Sequence, residues 1–211
     1  MLKKFLGKEK GITGLETAII LIAFVVVAAV FAYTALSAGL FSTQKAQEAV
    51  YAGLKEAQST LELKGSVIGT GNVTGDAGYM GQISFTVSCV LGGEPIDFTE
   101  PESGALGLAT GNDHRVVINY IDSSQSINNL YWTLTKVGYD DGDTLLEAGE
   151  KFQITIGDID GGPAGNLVQA LDTDKLGVNQ KFSIIVMTPI GAILTIERTT
   201  PPYIDKLMNL R

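Results

Sequence analysis

Residues 12–41 read ITGLETAIILIAFVVVAAVFAYTALSAGLF and carry one charged side chain, Glu16. The segment is apolar all round, so lipid or other protein must surround it if it is helical. At ~1.5 Å of rise per residue, such a helix is long enough to cross the ~30 Å hydrocarbon core of a bilayer. A charge deep in hydrocarbon costs roughly 2.5–3.5 kcal/mol, so we expect Glu16 to serve a purpose other than membrane spanning.

The apolar segment follows a short basic leader, MLKKFLGKEKG, which contains four lysines. Secretory signals and transmembrane anchors share this basic-then-apolar order. A permanent anchor would keep Met1, whereas a conventionally secreted protein cut near Ala32 would lose the apolar helix. Residue order alone leaves both alternatives open.

The stretch KGITGLETAIILIAFVVVAAVFAYTALSAGLF resembles the class III signal peptide of type IV pilin-like proteins. More narrowly, it resembles the start of an archaellin, the filament subunit of the archaeal flagellum. The resemblance covers about the first quarter of the chain. It implies that a prepilin peptidase cleaves between Gly11 and Ile12 while the precursor lies in the cytoplasmic membrane. It also implies that the mature chain packs with itself or with paralogues into a helical filament at the cell surface.

The same resemblance suggests residues for filament assembly. In type IV pilins, a carboxylate at the position of Glu16 guides docking, and we expect it to pair with the new amine of Ile12 on a neighbouring subunit. The alternative is that Glu16 only favours the positive end of its own helix. Close packing of helices needs small residues, and Ala28, Ala32 and Gly39 supply such a surface.

The resemblance implies a cleaved leader at 1–11. For the rest of the chain the pattern predicts an α+β fold, with a long helix at 12–64 and a β-domain at 65–211. An apolar stripe at Val50, Leu54, Ala57 and Leu61 extends the helical pattern towards Gly65. Beyond it, alternating residues predict an antiparallel Ig-like β-sandwich. The predicted strands are 81–91, 114–121, 131–138, 151–157, 180–188 and 192–198, with a weaker one at 64–69. Turn-rich stretches, including GTGNVTGDAG, separate them.

Composition excludes several classes of function. The formal net charge is −8, and removing the four lysines and one glutamate of residues 1–11 leaves 11 basic and 22 acidic residues, a net charge of −11. Such a surface is unsuited to binding nucleic acid, and to binding anionic lipid through the globular part. The single cysteine, Cys89, excludes an intramolecular disulfide, and its alternation with Phe85 and Val87 predicts a buried thiol. The single histidine, His114, beside Asp113 and Arg115, predicts an exposed loop or strand start rather than a catalytic site.

Two surface motifs remain. Asn72 begins the sequon Asn-Val-Thr among glycines, which predicts an exposed N-glycosylation site, as archaellins often have. The segment DDGDTLLEAGE gathers carboxylates that could supply the oxygens of a Ca²⁺ site, namely Asp140, Asp141, Asp143, Glu147 and Glu150. The other interpretation is a solvated acidic connection between two strands.

The leading interpretation is therefore a structural subunit of the archaellum that serves swimming motility, needs no cofactor and catalyses no reaction. An adhesive type IV-like pilin is the alternative within the same class. A membrane-anchored module that binds calcium or another ligand is the alternative from a different class.

Overall fold

The computed structural model describes residues 12–58, 61–90, 94–157, 167–171, 174–189 and 193–210. The chain divides into two compact units, residues 1–52 and residues 53–211. The predicted leader, including Gly11, lies outside the described residues.

The first element is one continuous helix, α1, from Ile12 to Gln58, 47 residues long. The sequence predicts helix as far as residue 64, which is wrong because a strand begins at Leu61. Leu61 pairs with Cys89 across two strands and is 5% exposed. Burial in the β-domain core thus overrides the helical spacing that links Leu61 to Val50 and Leu54.

The second unit consists mainly of strands. In the described residues they are β1 (Leu61–Val73), β2 (Tyr79–Cys89), β3 (Ile96–Asp97), β4 (Glu102–Ser103), β5 (Ala109–Thr110), β6 (Val117–Asp122), β7 (Ser126–Ile127), β8 (Trp132–Lys136), β9 (Leu145–Leu146), β10 (Phe152–Ile156), β11 (Lys181–Met187), β12 (Ile193–Thr199) and β13 (Leu207–Leu210). A 3₁₀ turn at Ala105–Gly107 and the short helix α2 at Leu167–Ala170 complete the described elements.

Two sheets form the body of this unit. The larger has the order β13-β1-β2-β10-β8 and the smaller the order β12-β11-β6-β7. Every described pairing is antiparallel. Both sheets contribute to one hydrophobic core, with Phe85, Trp132 and Phe152 from the larger and Tyr120 and Phe182 from the smaller. The predicted antiparallel sandwich is thereby confirmed.

The glycine-rich stretch after residue 68 is partly strand, where the sequence predicts a turn. Residues 69–73 continue β1, and the missed strand β13 pairs with it from Val67 to Thr70. A Cβ atom on Gly69 would collide with the Met80 side chain, and one on Gly71 would lie 2.6 Å from the carbonyl oxygen of Asp205. These glycines therefore allow close packing within a sheet, which local sequence does not distinguish from a turn.

Candidate assembly helix and surface sites

The large apolar side chains of α1 are exposed on every side. From Leu15 to Phe41 each is more than half exposed, between 54% for Val27 and 73% for Tyr33. The helix segment Gly14–Leu54 is also long and apolar enough to cross a membrane, and its most apolar stretch of 18 residues has a mean hydropathy of 2.8. Water does not favour such a surface, so lipid or neighbouring protein must cover it.

Three threonine hydroxyl groups of α1 are satisfied within the helix itself. Thr17 donates to the carbonyl oxygen of Gly14 at 3.1 Å, Thr34 to Phe31 at 3.0 Å and Thr43 to Leu40 at 2.9 Å. A buried hydroxyl without a partner is costly, and this back-bonding removes the cost. The helix can therefore enter lipid or protein without needing external acceptors for these groups.

The residues predicted for assembly are exposed on α1. Ala28, Ala32, Ala35 and Gly39 follow one another at intervals of four, three and four residues, which places them on one helix face. A Cβ atom on Gly39 would meet no described atom within 4 Å. Packing within the described chain therefore does not require glycine here. Its small size matters only if another molecule approaches this face.

Glu16 lies on α1, in the second turn after Ile12, and its side chain is exposed. The polar part of the helix begins about eight turns later, where Lys45 lies 2.6 Å from Glu48 and 5.9 Å from the centre of the Phe41 ring. Between Glu16 and Lys45 the sequence carries no charged residue. Glu16 is thus isolated from other charges along this part of its own helix.

The sequon residue Asn72 lies near the end of β1 rather than in a loop, and its side chain is exposed. Its amide nitrogen donates to the hydroxyl of Tyr79 at 3.4 Å, a long hydrogen bond. Tyr79 in turn receives the ammonium of Lys175, 4.3 Å above its ring. The acceptor amide is accessible from solvent, as a glycosylation site requires.

The acidic segment forms a turn-rich connection between β8 and β10 whose carboxylates bind main-chain groups. Each aspartate side chain accepts from the main-chain amide two residues later. The distances are 2.8 Å from Gly142 to Asp140, 3.2 Å from Asp143 to Asp141 and 2.8 Å from Leu145 to Asp143. Asp140 also pairs with Lys136 at 3.0 Å. In the described residues no three carboxylate, histidine or cysteine side chains converge as metal ligands. The five predicted Ca²⁺ ligands therefore do not form a ready metal site in the described residues, and Asp140, Asp141 and Asp143 stabilise Asx-type turns.

Glu150 differs from the other members of this segment because it is buried, with 3% exposure. Its Oε1 accepts from the main-chain amide of Asp141 at 3.2 Å, and its Oε2 accepts from that of Glu147 at 3.0 Å. One carboxylate thus holds both ends of the turn. The predicted ligand Glu147 contributes its amide to this arrangement, and its own side chain is exposed.

The residues with potential for catalysis have structural partners. Cys89 is 4% exposed, as predicted, and burial raises the pKa of its thiol, with partial opposition from a hydrogen bond to Val90. His114 is partly buried rather than exposed, and its Nε2 lies 3.2 Å from the amide oxygen of Asn129. Asn129 occupies a left-handed conformation with φ of 56° and also binds Ala109 and Asn119. The histidine therefore belongs to a loop-fixing network and contacts an amide rather than a nucleophile or carboxylate.

A second fixed turn surrounds Asp122, at the end of β6. Its carboxylate accepts from Tyr120, Ser124 and Gln125, at distances of 2.7 to 3.2 Å. Burial opposes ionisation, but these hydrogen bonds prevail and lower the pKa of Asp122 to about 2. Its lone pairs are thus occupied by the turn that joins β6 to β7.

Comparison with known proteins was made for sequence and structure. The family model for archaeal-type flagellin matches residues 11–198. Probable flagellin 1 of Archaeoglobus fulgidus is 40% identical, covering 98% of both chains. Probable flagellin 1 of Aeropyrum pernix is 35% identical, covering 92% of this chain and 93% of the relative. The solved archaeal flagellum of Methanospirillum hungatei strain JF1 is 28% identical, with a TM-score of 0.59, covering 93% of this chain and 98% of its own.

These matches extend through both the helix and the β-domain, well beyond the first quarter on which the sequence resemblance rests. The chain belongs to the archaeal-type flagellin family.

Proposed function

We propose that this chain is a structural subunit of an archaeal flagellar filament, in which α1 packs against the helices of neighbouring copies or paralogues. The observation that carries the proposal is the uncovered apolar surface of α1 in a chain whose family is archaeal-type flagellin. A repeated, non-closing contact between identical subunits generates a helical polymer. Such a role needs no catalytic group, in keeping with a family of structural proteins.

The physics of assembly favours close helix packing over simple hydrophobic burial. A precursor helix in lipid already has an apolar environment, so transfer to a protein core gains little from the hydrophobic effect. Van der Waals contact between closely approaching helices must then supply the gain. The face with Ala28, Ala32 and Gly39 is suited to this approach because it has no large side chain at those positions.

Processing at Gly11–Ile12 gives a direct test of this function. We expect filaments sheared from cells to contain this chain with Ile12 as its first residue. The physical reason is that the basic leader holds the precursor at the cytoplasmic side until a peptidase removes it. Mass spectrometry of the sheared material measures the terminus.

The alternatives give different termini in the same measurement. A permanently anchored module would keep Met1 and stay with the membrane fraction. A conventionally secreted protein would begin after the apolar segment, near or beyond Ala32. Either result would contradict assembly through α1.

The outer domain is a candidate for glycosylation at Asn72. Exposure of its amide supports modification after export, and a hydrophilic glycan would help keep the outer domain soluble. We expect Asn72→Gln to lower the intact mass of the mature subunit by the mass of one glycan. The matched control is Asn209→Gln, because Asn209 is also exposed but does not begin an Asn-x-Ser/Thr sequon. An unchanged glycan mass in the Asn72 variant would show that the site is unused.

A further inference from the structure

Strand β8 lies at the end of the larger sheet in the described part of the chain, with β10 as its neighbour. The register pairs Leu134 with Ile154. Just past the strand, the amide of Val137 donates to the main-chain carbonyl oxygen of Lys151 at 2.9 Å. The amides of the odd-numbered residues of β8 therefore point towards β10. Alternate amides of a strand point to opposite sides. The Leu134 amide therefore points away from the sheet, where another strand could pair with it.

The Leu134 amide is occupied by a side chain from elsewhere in the same domain. It donates to the carboxylate Oε1 of Glu100, an exposed residue in the segment between β3 and β4. This segment is held in place next to Glu100. The Asp97 carboxylate accepts from the amide and hydroxyl of Thr99 at 2.9 and 2.6 Å, and the same hydroxyl lies 3.2 Å from that of Thr144.

Glu100 also interacts electrostatically with Tyr131, the residue that precedes β8. Burial raises the pKa of Tyr131, and the negative charge of Glu100 raises it further. At the other end of the strand, Lys136 is held by Asp140 at 3.0 Å. Acidic or basic side chains thus lie at the middle of β8, where Glu100 meets the Leu134 amide, and at its end, where Lys136 pairs with Asp140.

We propose that Glu100 protects the edge of β8, so that the outer domains of two copies of this chain do not pair strand to strand. An unpaired strand edge is a template for another strand, and charged groups on such edges prevent the pairing. The Glu100 carboxylate accepts the hydrogen bond of the Leu134 amide, the outward amide at the middle of β8. An incoming strand would also remove water from this carboxylate, which opposes pairing. This proposal rests on the proposed function in one respect, since a filament brings identical domains close together. The hydrogen bond that protects the edge forms within a single subunit and does not require a filament.

The hydrogen bond is tested first by amide exchange on the full chain, purified in detergent before assembly. We expect Glu100→Ala to raise the exchange rate at Leu134 roughly tenfold or more, because a charge-assisted hydrogen bond is lost. Glu100→Gln should restore most of the protection, since its amide oxygen still accepts. Glu102→Ala is the matched control, because Glu102 is exposed and accepts a hydrogen bond from the Thr110 hydroxyl through its main-chain carbonyl, which the substitution keeps. Unchanged exchange at Leu134 in Glu100→Ala would overturn the proposal.

Edge pairing is tested in the same preparation by cross-linking. Thr135→Cys places a thiol on the exposed part of β8, and the native Cys89 is buried and gives little background. A short thiol cross-linker should produce several-fold more dimer when Glu100→Ala is added, and no more when Glu102→Ala is added. Equal dimer yield in all three proteins would also overturn the proposal. Filament formation is not measured in either assay, so these outcomes are independent of the proposed function.

Discussion

Replacement of Glu16 by glutamine is expected to leave processing intact and to reduce filament yield by about two orders of magnitude. The proposed cleavage would place a positive amine on Ile12, and burying that amine without a partner in a packed helix core is costly. We expect Glu16 of one subunit to pair with the amine of its neighbour. Loss of one partner of a buried ion pair costs ~3–5 kcal/mol, and each ~1.4 kcal/mol is a tenfold change in an equilibrium constant. Sheared filament mass per cell and electron microscopy of filament length measure the effect.

Two further variants make this result specific. Glu16→Asp keeps the charge and should recover part of the yield. Glu48→Gln removes another carboxylate of α1, whose surface pair with Lys45 is exposed on both sides, so it should leave assembly near normal. Normal filament yield and length in Glu16→Gln would instead favour a simple interaction with the helix end, worth typically ~0.3–1 kcal/mol.

Replacement of Glu150 by alanine is expected to lower the free energy of unfolding of the β-domain by ~3–5 kcal/mol. The buried carboxylate accepts from two main-chain amides, those of Asp141 and Glu147, and each hydrogen bond to a charged group contributes ~1.5–3 kcal/mol. Glu150→Gln keeps one acceptor oxygen and should lose roughly half as much. Thermal or denaturant unfolding of the full chain in detergent, followed by near-ultraviolet circular dichroism, measures the change.

The same experiment separates turn stabilisation from calcium binding. Glu147→Gln is the matched control, because its side chain is exposed while its amide remains available to Glu150. If Glu150 acts through the turn alone, its variants lose the same stability in Ca²⁺ and in chelator. Stabilisation of the unmodified chain by Ca²⁺, lost in Asp143→Ala, would instead establish a calcium site that forms only when the ion binds.

The sequence predicted the two kinds of secondary structure and most of their positions. The helical segment is identified by composition alone, because an uninterrupted apolar run has no other stable form in lipid. The six main predicted strands overlap described strands, for example Phe152–Ile156 within the predicted 151–157. Period-two alternation succeeds there because one face of each strand meets the core.

The errors lie where distant residues decide the conformation. The end of α1 at Gln58 depends on the pairing of Leu61 with Cys89. The strand character of Gly69 and Gly71 depends on Met80 and on the C-terminal segment that includes Asp205. A local pattern does not predict either contact. A glycine occurs both in turns and in closely packed strands, and apolar residues at helical spacing can still end in a strand when distant residues pair with them.

The sequence by itself determined that α1 must be covered by lipid or protein, because apolar surface on all sides of a helix is a property of composition. It also predicts that Glu16 pairs with the amine of a neighbouring subunit, a prediction that the Glu16→Gln variant tests. Only the tertiary structure decided the roles of the carboxylates in the β-domain. Glu150 is buried under a turn and Glu100 meets the amide of Leu134, 34 residues away in the chain. A carboxylate looks the same in sequence whether it binds a metal, a main-chain amide or water, and only the fold brings it to one of them.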